Sequence, residues 1–155
     1  MRKSRAKKKP LKPDPRYSDP LVTRFVHNLM YDGKASTSLR LFYDAMDLVE
    51  KQTKENGYES WKKAMTNIMP AVEVRSRRIG GATFQIPAEV RPDRKISITM
   101  RWLITYSRKR AGRSMAEKLA GEIIAASKGE GAAVKKKEDT HKMAEANKAF
   151  AHFKV

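Results

Sequence analysis

Apolar positions recur every three to four residues through most of the chain, a spacing that predicts helices. Leu21, Val22, Phe25, Val26, Leu29 and Met30 share one face of a first helix, which Asp32-Gly33 ends. It starts at Asp19-Pro20, an N-cap residue followed by proline at the first helical position. A second helix, from about Ser36 to Lys54, turns Leu39, Phe42, Tyr43, Met46 and Val49 inward, and Asn56-Gly57 breaks it. A third, over about 59–69, buries Trp61, Ala64, Met65, Ile68 and Met69 before Pro70 stops it. A fourth opens at Arg91-Pro92-Asp93, packs Ile96, Met100, Leu103 and Ile104, and closes at Gly112. Ser114-Met115-Ala116-Glu117 reads as a capping box for a fifth, with Leu119, Ile123, Ile124 and Ala126 inside and Gly129-Glu130-Gly131 at its end. The last is predicted over about 133–152, with Met143, Ala146, Phe150 and Phe153 along one side.

Between the third and fourth helices the period changes. Two runs of strand-forming residues within Val72–Val90 flank Gly80-Gly81, which predicts a β-hairpin. On its first strand Val72, Val74, Ser76 and Arg78 share one face, and Glu73, Arg75, Arg77 and Ile79 the other. Arg75 and Arg77 then lie roughly 6.6 Å apart at ~3.3 Å per residue. The fold class is mainly α: a six-helix body with one inserted, protruding hairpin at 72–90. Residues 1–18 mix Lys and Arg with Pro10, Pro13 and Pro15 and hold little to bury, so a basic extension, disordered until it meets a partner, is expected there. Residues 19–155 then form one helical domain.

Charge sharpens this picture. The 155 residues carry 34 Lys+Arg against 17 Asp+Glu, a net charge of +17. Residues 1–16 hold net +7, 17–73 net −1, 74–113 net +9 and 114–155 net +2. Charge concentrated in two segments seeks a polyanion, whereas a solubility device would spread it. The absence of cysteine excludes disulfides, Cys-ligated zinc and a thiol nucleophile, and fits a reducing compartment. No apolar run approaches the ~18–20 residues of a membrane span, and the basic N-terminus lacks the apolar core of a signal peptide. A cytoplasmic protein is the default.

The candidate chemistry is therefore phosphate binding. In the hairpin, Arg75, Arg77 and Arg78 sit beside the Gly80-Gly81 tip, and a cation-bearing ribbon can lie in a groove or along a backbone. The fourth helix and its flanks supply Arg91, Arg94, Lys95, Arg101, Arg108, Arg110 and Arg113, with Arg94, Arg101 and Arg108 in a row at spacings of seven. Asp93 is the sole acid of that stretch, unlike a salt-bridged solvent face. Trp102 suits either base stacking or partial burial in the core. Lys135, Lys136 and Lys137 begin the last helix, where cations oppose the dipole unless an anion is near; Glu138-Asp139 can be that anion. The extension adds Arg2, Lys3, Arg5, Lys7, Lys8, Lys9, Lys12 and Arg16.

Catalysis finds little support. Gly80-Gly81 lacks the Lys and the following helix of a nucleotide loop. Glu138-x-x-His141 is half of a di-iron motif whose other half is missing, and a polar helix surface explains it. His27 has no ligand partner at useful spacing, and His152 lies near the terminus. No metal, cofactor or catalytic residue is expected.

Three separated blocks resemble the family of small-subunit ribosomal protein seven, in its bacterial form. Tyr17-Ser18-Asp19-Pro20-Leu21-Val22 with Asp32-Gly33-Lys34 resembles its first-helix block, and Val72–Val90 its hairpin signature. Gly131-Ala132-Ala133-Val134-Lys135-Lys136-Lys137-Glu138-Asp139 with Met143-Ala144-Glu145-Ala146-Asn147 resembles its C-terminal signature, and Arg101-Trp102-Leu103 also fits. The resemblance covers residues ~14–153, and it departs at Ala35, where the family has a second basic residue after Lys34. It implies a structural constituent of the small ribosomal subunit that binds 16S rRNA early and nucleates folding of the subunit head, the 3′ major domain. It also implies a hairpin near the exit-site tRNA, and small-subunit proteins nine and eleven as neighbours. The bacterial form often also represses its own operon mRNA. Two other classes stay open from the residues alone: an architectural DNA binder using the hairpin as a minor-groove arm, and an enzyme acting on nucleic acid.

Overall fold

A computed structural model of the protein describes residues 9–153. Six α-helices and one hairpin follow in the order α1 (Pro20–Leu29), α2 (Ala35–Thr53), α3 (Gly57–Ile68), β1 (Val72–Ile79), β2 (Ala82–Glu89), α4 (Pro92–Lys109), α5 (Met115–Ser127) and α6 (Ala132–Ala146). A 3-10 helix, Lys148–Phe153, follows α6. The starts are set by local chemistry. Asp19 Oδ1 accepts from Leu21 N at 2.7 Å and Pro20 fills the first turn of α1. Ser114 Oγ accepts from Glu117 N at 3.2 Å, while the Glu117 carboxylate turns back to Arg113 N rather than to the cap residue itself. Asn56 caps α3 through Tyr58 N and Glu59 N, so α3 begins at Gly57, two residues before the position expected from the apolar stripe. Gly57 is needed there, since a Cβ would stand 2.5 Å from the Met46 carbonyl oxygen.

Helix α5 is the centre of the body, packed on α3, α2 and α4, with Leu119, Ala120, Ile123 and Ala126 fully buried. Around it lie Val22, Phe25, Phe42, Met46, Val49, Ile68, Met100 and Leu103, all fully buried. Trp61 meets Phe25 and Phe42 edge-on at 5.5 and 5.6 Å between ring centroids. Edge-to-face packing adds ~0.5–1.5 kcal/mol per pair to the burial itself. Trp102 is half-buried against this core, one of its two sequence expectations.

Two further boundaries differ from the sequence expectation. The folded body begins before Asp19. Asp14 is 2% exposed and accepts from Arg16 N and Tyr17 N at 3.0 Å each and from the Tyr43 hydroxyl at 2.8 Å. Tyr17 stacks on Tyr58 at 4.7 Å and meets Phe42 edge-on. One carboxylate and one ring give residues 14–17 something to bury, although the segment's average composition does not. At the other end α6 stops at Ala146, and Asn147 donates from its side chain to the Met143 carbonyl before the 3-10 turn begins. That turn packs on β2, with Phe150 5.3 Å from Phe84.

Between α5 and α6 another buried carboxylate does the joining. Helix α6 has no capping side chain of its own, since its N-cap is Gly131. Glu122, 1% exposed, instead accepts from Ala133 N at 2.9 Å and from the Arg110 Nη1 group at 2.9 Å.

Removing either buried anchor should be costly. Asp14→Ala strands two backbone amides and a hydroxyl, and an expected loss of about 2–3 kcal/mol in chemical denaturation checks it. Glu122→Ala should cost about 2–4 kcal/mol, the half-exposed Arg110 limiting the penalty. Burial, then the bond to Asp14, pushes the Tyr43 hydroxyl up to about 12, and burial also raises Tyr17 and Tyr58. A raised folded pKa keeps its stabilisation below the ordinary value of 10.0 and loses it as pH rises towards about 12. An ultraviolet titration should therefore show these tyrosines ionising together with alkaline unfolding, not as free phenols.

Candidate nucleic-acid interface

The hairpin is a two-residue-loop ribbon in which Val72 pairs with Glu89 and Ile79 with Ala82. Gly80 and Gly81 hold φ of +56° and +90°, the left-handed pair that closes a tight turn with the strands' own twist. They serve geometry, and among the described residues nothing lies within 4 Å of where a Cβ would stand on either. Cross-strand partners share a face, so Arg75 lies beside Ile86 and Arg77 beside Phe84. Ile86 is buried, whereas Arg75, Arg77 and Arg78 are exposed.

At the hairpin's base stands an acid with two cations. Glu73 is 8% exposed. Arg94, in the first turn of α4, donates from Nε to Glu73 Oε1 and Oε2 at 3.0 and 2.8 Å. Arg75 reaches Oε1 from Nε at 2.7 Å and from Nη2 at 2.6 Å. Burial pushes the Glu73 carboxyl upward, but the bonds and charges of Arg94 and Arg75 outweigh it and hold the pKa below 4.5. This acid was not among the residues expected to shape the interface; its signal in the sequence is only its place on the arginine face of β1.

Helix α4 continues the cationic surface. Arg91, Arg94 and Arg101 are exposed and lie at spacings of three and seven, hence along one stripe. Arg108 leaves that row: it is half-buried, donates to the Leu29 carbonyl at 3.1 Å and lies 4.1 Å from the centre of the Tyr31 ring. Arg110 is held by Glu122. Lys95 is half-buried.

Beyond the end of α1, a cavity of about 420 Å³ opens between α1, α2 and the α4–α5 connection. Lys34, Arg108, Arg113 and Lys118 line it over an apolar floor that includes Leu29, Leu41 and Met115, and among the described residues no carboxylate lines it. Tyr31, 63% exposed, stands at its edge. Lys118 and Tyr31 belong to no motif; Tyr31 lies beside Lys34 and Lys118 beside Arg113 in the chain, and the fold brings the two pairs to one cavity.

The other expected cations divide. Arg2, Lys3, Arg5, Lys7 and Lys8 lie outside the described residues. Lys9 and Lys12 are exposed. Arg16 pairs with Asp47 at 2.7 Å and lies over Tyr17 and Tyr43, so it serves the fold. Of the lysines opening α6, Lys135 is exposed, Lys136 half-buried, and Lys137 bonds the Asn67 carbonyl at the end of α3. His141 Nε2 accepts from Ala71 N at 3.1 Å, which gives the Glu138-x-x-His141 pattern a structural use. Among the described residues no group of three or more His, Asp or Glu could hold a metal ion, and no helix is long and apolar enough to cross a membrane.

Residues 1–148 match the family model of ribosomal protein S7p/S5e. The chain is 67% identical over 157 residues to the small ribosomal subunit protein uS7 of Flavobacterium psychrophilum, covering 99% of each chain. It is 64% identical over 154 residues to that of Cytophaga hutchinsonii, again with 99% of each covered. The counterpart in Amoebophilus asiaticus is 56% identical over 155 residues, the full length of both.

Linkage gives the Glu73 network a pH signature. A lowered folded pKa means that its stabilisation is complete above 4.5 and is lost as pH falls below that value. Denaturation midpoints followed from neutrality to about pH 3 should show a steep acid limb that Glu73→Gln flattens; equal limbs would refute the assignment.

Proposed function

The chain belongs to the ribosomal protein S7p/S5e family and is a structural, non-enzymatic constituent of the small ribosomal subunit, at work in the cytoplasm, and on that premise we propose that it binds 16S rRNA directly and stabilises the compact fold of the subunit head. The observation that carries this is the continuity of the cationic surface. Arg75 of the hairpin and Arg94 of α4 meet on one carboxylate, which joins the ribbon's arginines to the stripe formed with Arg91 and Arg101. Such a bent surface grips phosphates of two RNA segments at a junction. It binds the folded junction better than the open one, and that difference is what drives assembly. Recognition is mostly of shape, because an RNA duplex hides its base edges. The open cavity beside Tyr31 is suited to an unpaired base, with cations around an apolar floor.

By the same reading the hairpin tip reaches the exit-site tRNA, the neighbours include small-subunit proteins nine and eleven, and the chain represses its own operon mRNA by binding a junction of the same shape. The basic N-terminal extension orders on RNA. Lys34, Lys135 and Lys136 add phosphate contacts at the two ends of the surface.

A competition titration at fixed salt tests the reading. Wild-type chain is offered the folded 3′ major domain of 16S rRNA, an unrelated structured RNA of equal length, and duplex DNA. A preference for the ribosomal junction on the order of a hundredfold or more is expected, whereas equal binding to all three would overturn it. Arg78→Ala and Arg101→Ala, whose side chains support no internal ion pair among the described residues, should each reduce the slope of log affinity against log salt by about 0.7–0.9. An unchanged slope removes that residue from the phosphate surface.

A further inference from the structure

We infer that Glu73 is a positioning residue for RNA binding: by gripping the Nε edges of Arg75 and Arg94 it holds two guanidinium groups ready-made as one phosphate clamp. The inference rests on the RNA-binding reading and deepens it. An acid inside a phosphate-binding surface is a liability by charge alone, since it repels the ligand. Its geometry here reverses that. Arg94 uses only Nε on the carboxylate, and Arg75 uses Nε and Nη2. Both Nη groups of Arg94 and Nη1 of Arg75 make no hydrogen bond to any described residue, and the two side chains stay 53% and 57% exposed while the side chain of Glu73 alone is 11% exposed. The carboxylate is therefore covered while more than half of each arginine side chain, with donors the carboxylate does not use, stays open to solvent.

Three physical effects favour this arrangement. An arginine held by a hydrogen-bonded partner has already lost the rotamer freedom that binding would otherwise remove. The two cations, brought together on one oxygen, would repel each other without the anion between them. Arg94 also sits in the first turn of α4, where a cation opposes the helix dipole, and Glu73 adds to the offset that Asp93 supplies there. A phosphate meeting the exposed donors completes what the carboxylate begins, and neither guanidinium has to move.

The test turns on a sign. Glu73→Gln makes the protein more positive, so electrostatics alone predicts tighter RNA binding at every salt concentration. A positioning role predicts the reverse, a loss of about tenfold, the worth of one charge-assisted hydrogen bond. The variant is titrated against both the 3′ major domain RNA and the unrelated RNA, alongside wild type. The same change in an Arg75→Ala/Arg94→Ala background should cost nothing further, because there is nothing left to position. Equal or tighter binding by Glu73→Gln overturns the inference. Weaker binding in both backgrounds also overturns it, since it assigns Glu73 to hairpin folding alone. Arg94→Lys keeps the charge and the ion pair but has no second edge to present; it should lose about as much, and unchanged affinity there overturns the inference even if Glu73→Gln does not fold. Equal binding of wild type to the two RNAs would sink the ribosomal reading instead, and the clamp would still be judged on either RNA, since both carry phosphate.

Discussion

Buried carboxylates must be satisfied, and in this chain Asp14, Glu73 and Glu122 are the acids that the described residues bury. Each sits where helix packing alone gives no instruction. Asp14 ties the segment before α1 to α2 through Tyr43. Glu73 joins the hairpin base to α4, and Glu122 joins the α4–α5 connection to the start of α6. An apolar contact in any of these places would leave direction free. A carboxylate with two or three donors does not, because a misaligned donor leaves a charge unpaired in low dielectric. The helices are positioned by their apolar stripes, and the parts that leave the helices are positioned by these acids.

The same accounting separates two kinds of cation. With a net charge of +17 the surface repels itself, and among the described residues Asp47, Glu73 and Glu122 each pair with arginine. Arg16 and Arg110 are absorbed by Asp47 and Glu122, and Arg108 by a helix-end carbonyl and a ring. Arg78, Arg91, Arg101 and Arg113 are left exposed. The open cationic surface is thus smaller than the cation count implies, since Arg16, Arg108 and Arg110 are held by internal partners.

Most of the fold was legible because its determinants are local. Five amphipathic stripes, the Asp19-Pro20 cap, the Ser114 cap on Glu117 and the Gly-Gly turn each act within a few residues and are found where expected, whereas α6 buries Ala133, Val134, Thr140 and Ala144 and leaves Met143 and Ala146 exposed. The expectations that shifted depended on a distant partner. Nothing near Asp14 reveals Tyr43, 29 positions on. Nothing near Met143 shows that Phe150 will meet Phe84 instead of extending α6. The row of Arg94, Arg101 and Arg108 is sound as helix geometry, yet Arg108 turns to the end of α1, 79 positions away.

Sequence by itself therefore determined the class of fold, the hairpin with its turn, the location of the excess charge, and the family resemblance that its motifs carry. These depend on periodicity, turn chemistry and composition, which are properties of short segments. Tertiary structure alone decided which cations face solvent and which hold the body together. It also made the cavity of Lys34, Arg113, Lys118 and Tyr31, and set Arg75 and Arg94 on one acid. The reason is that an ion pair or a cavity wall depends on distance through space, and only the packing of α5 against its neighbours brings such residues together.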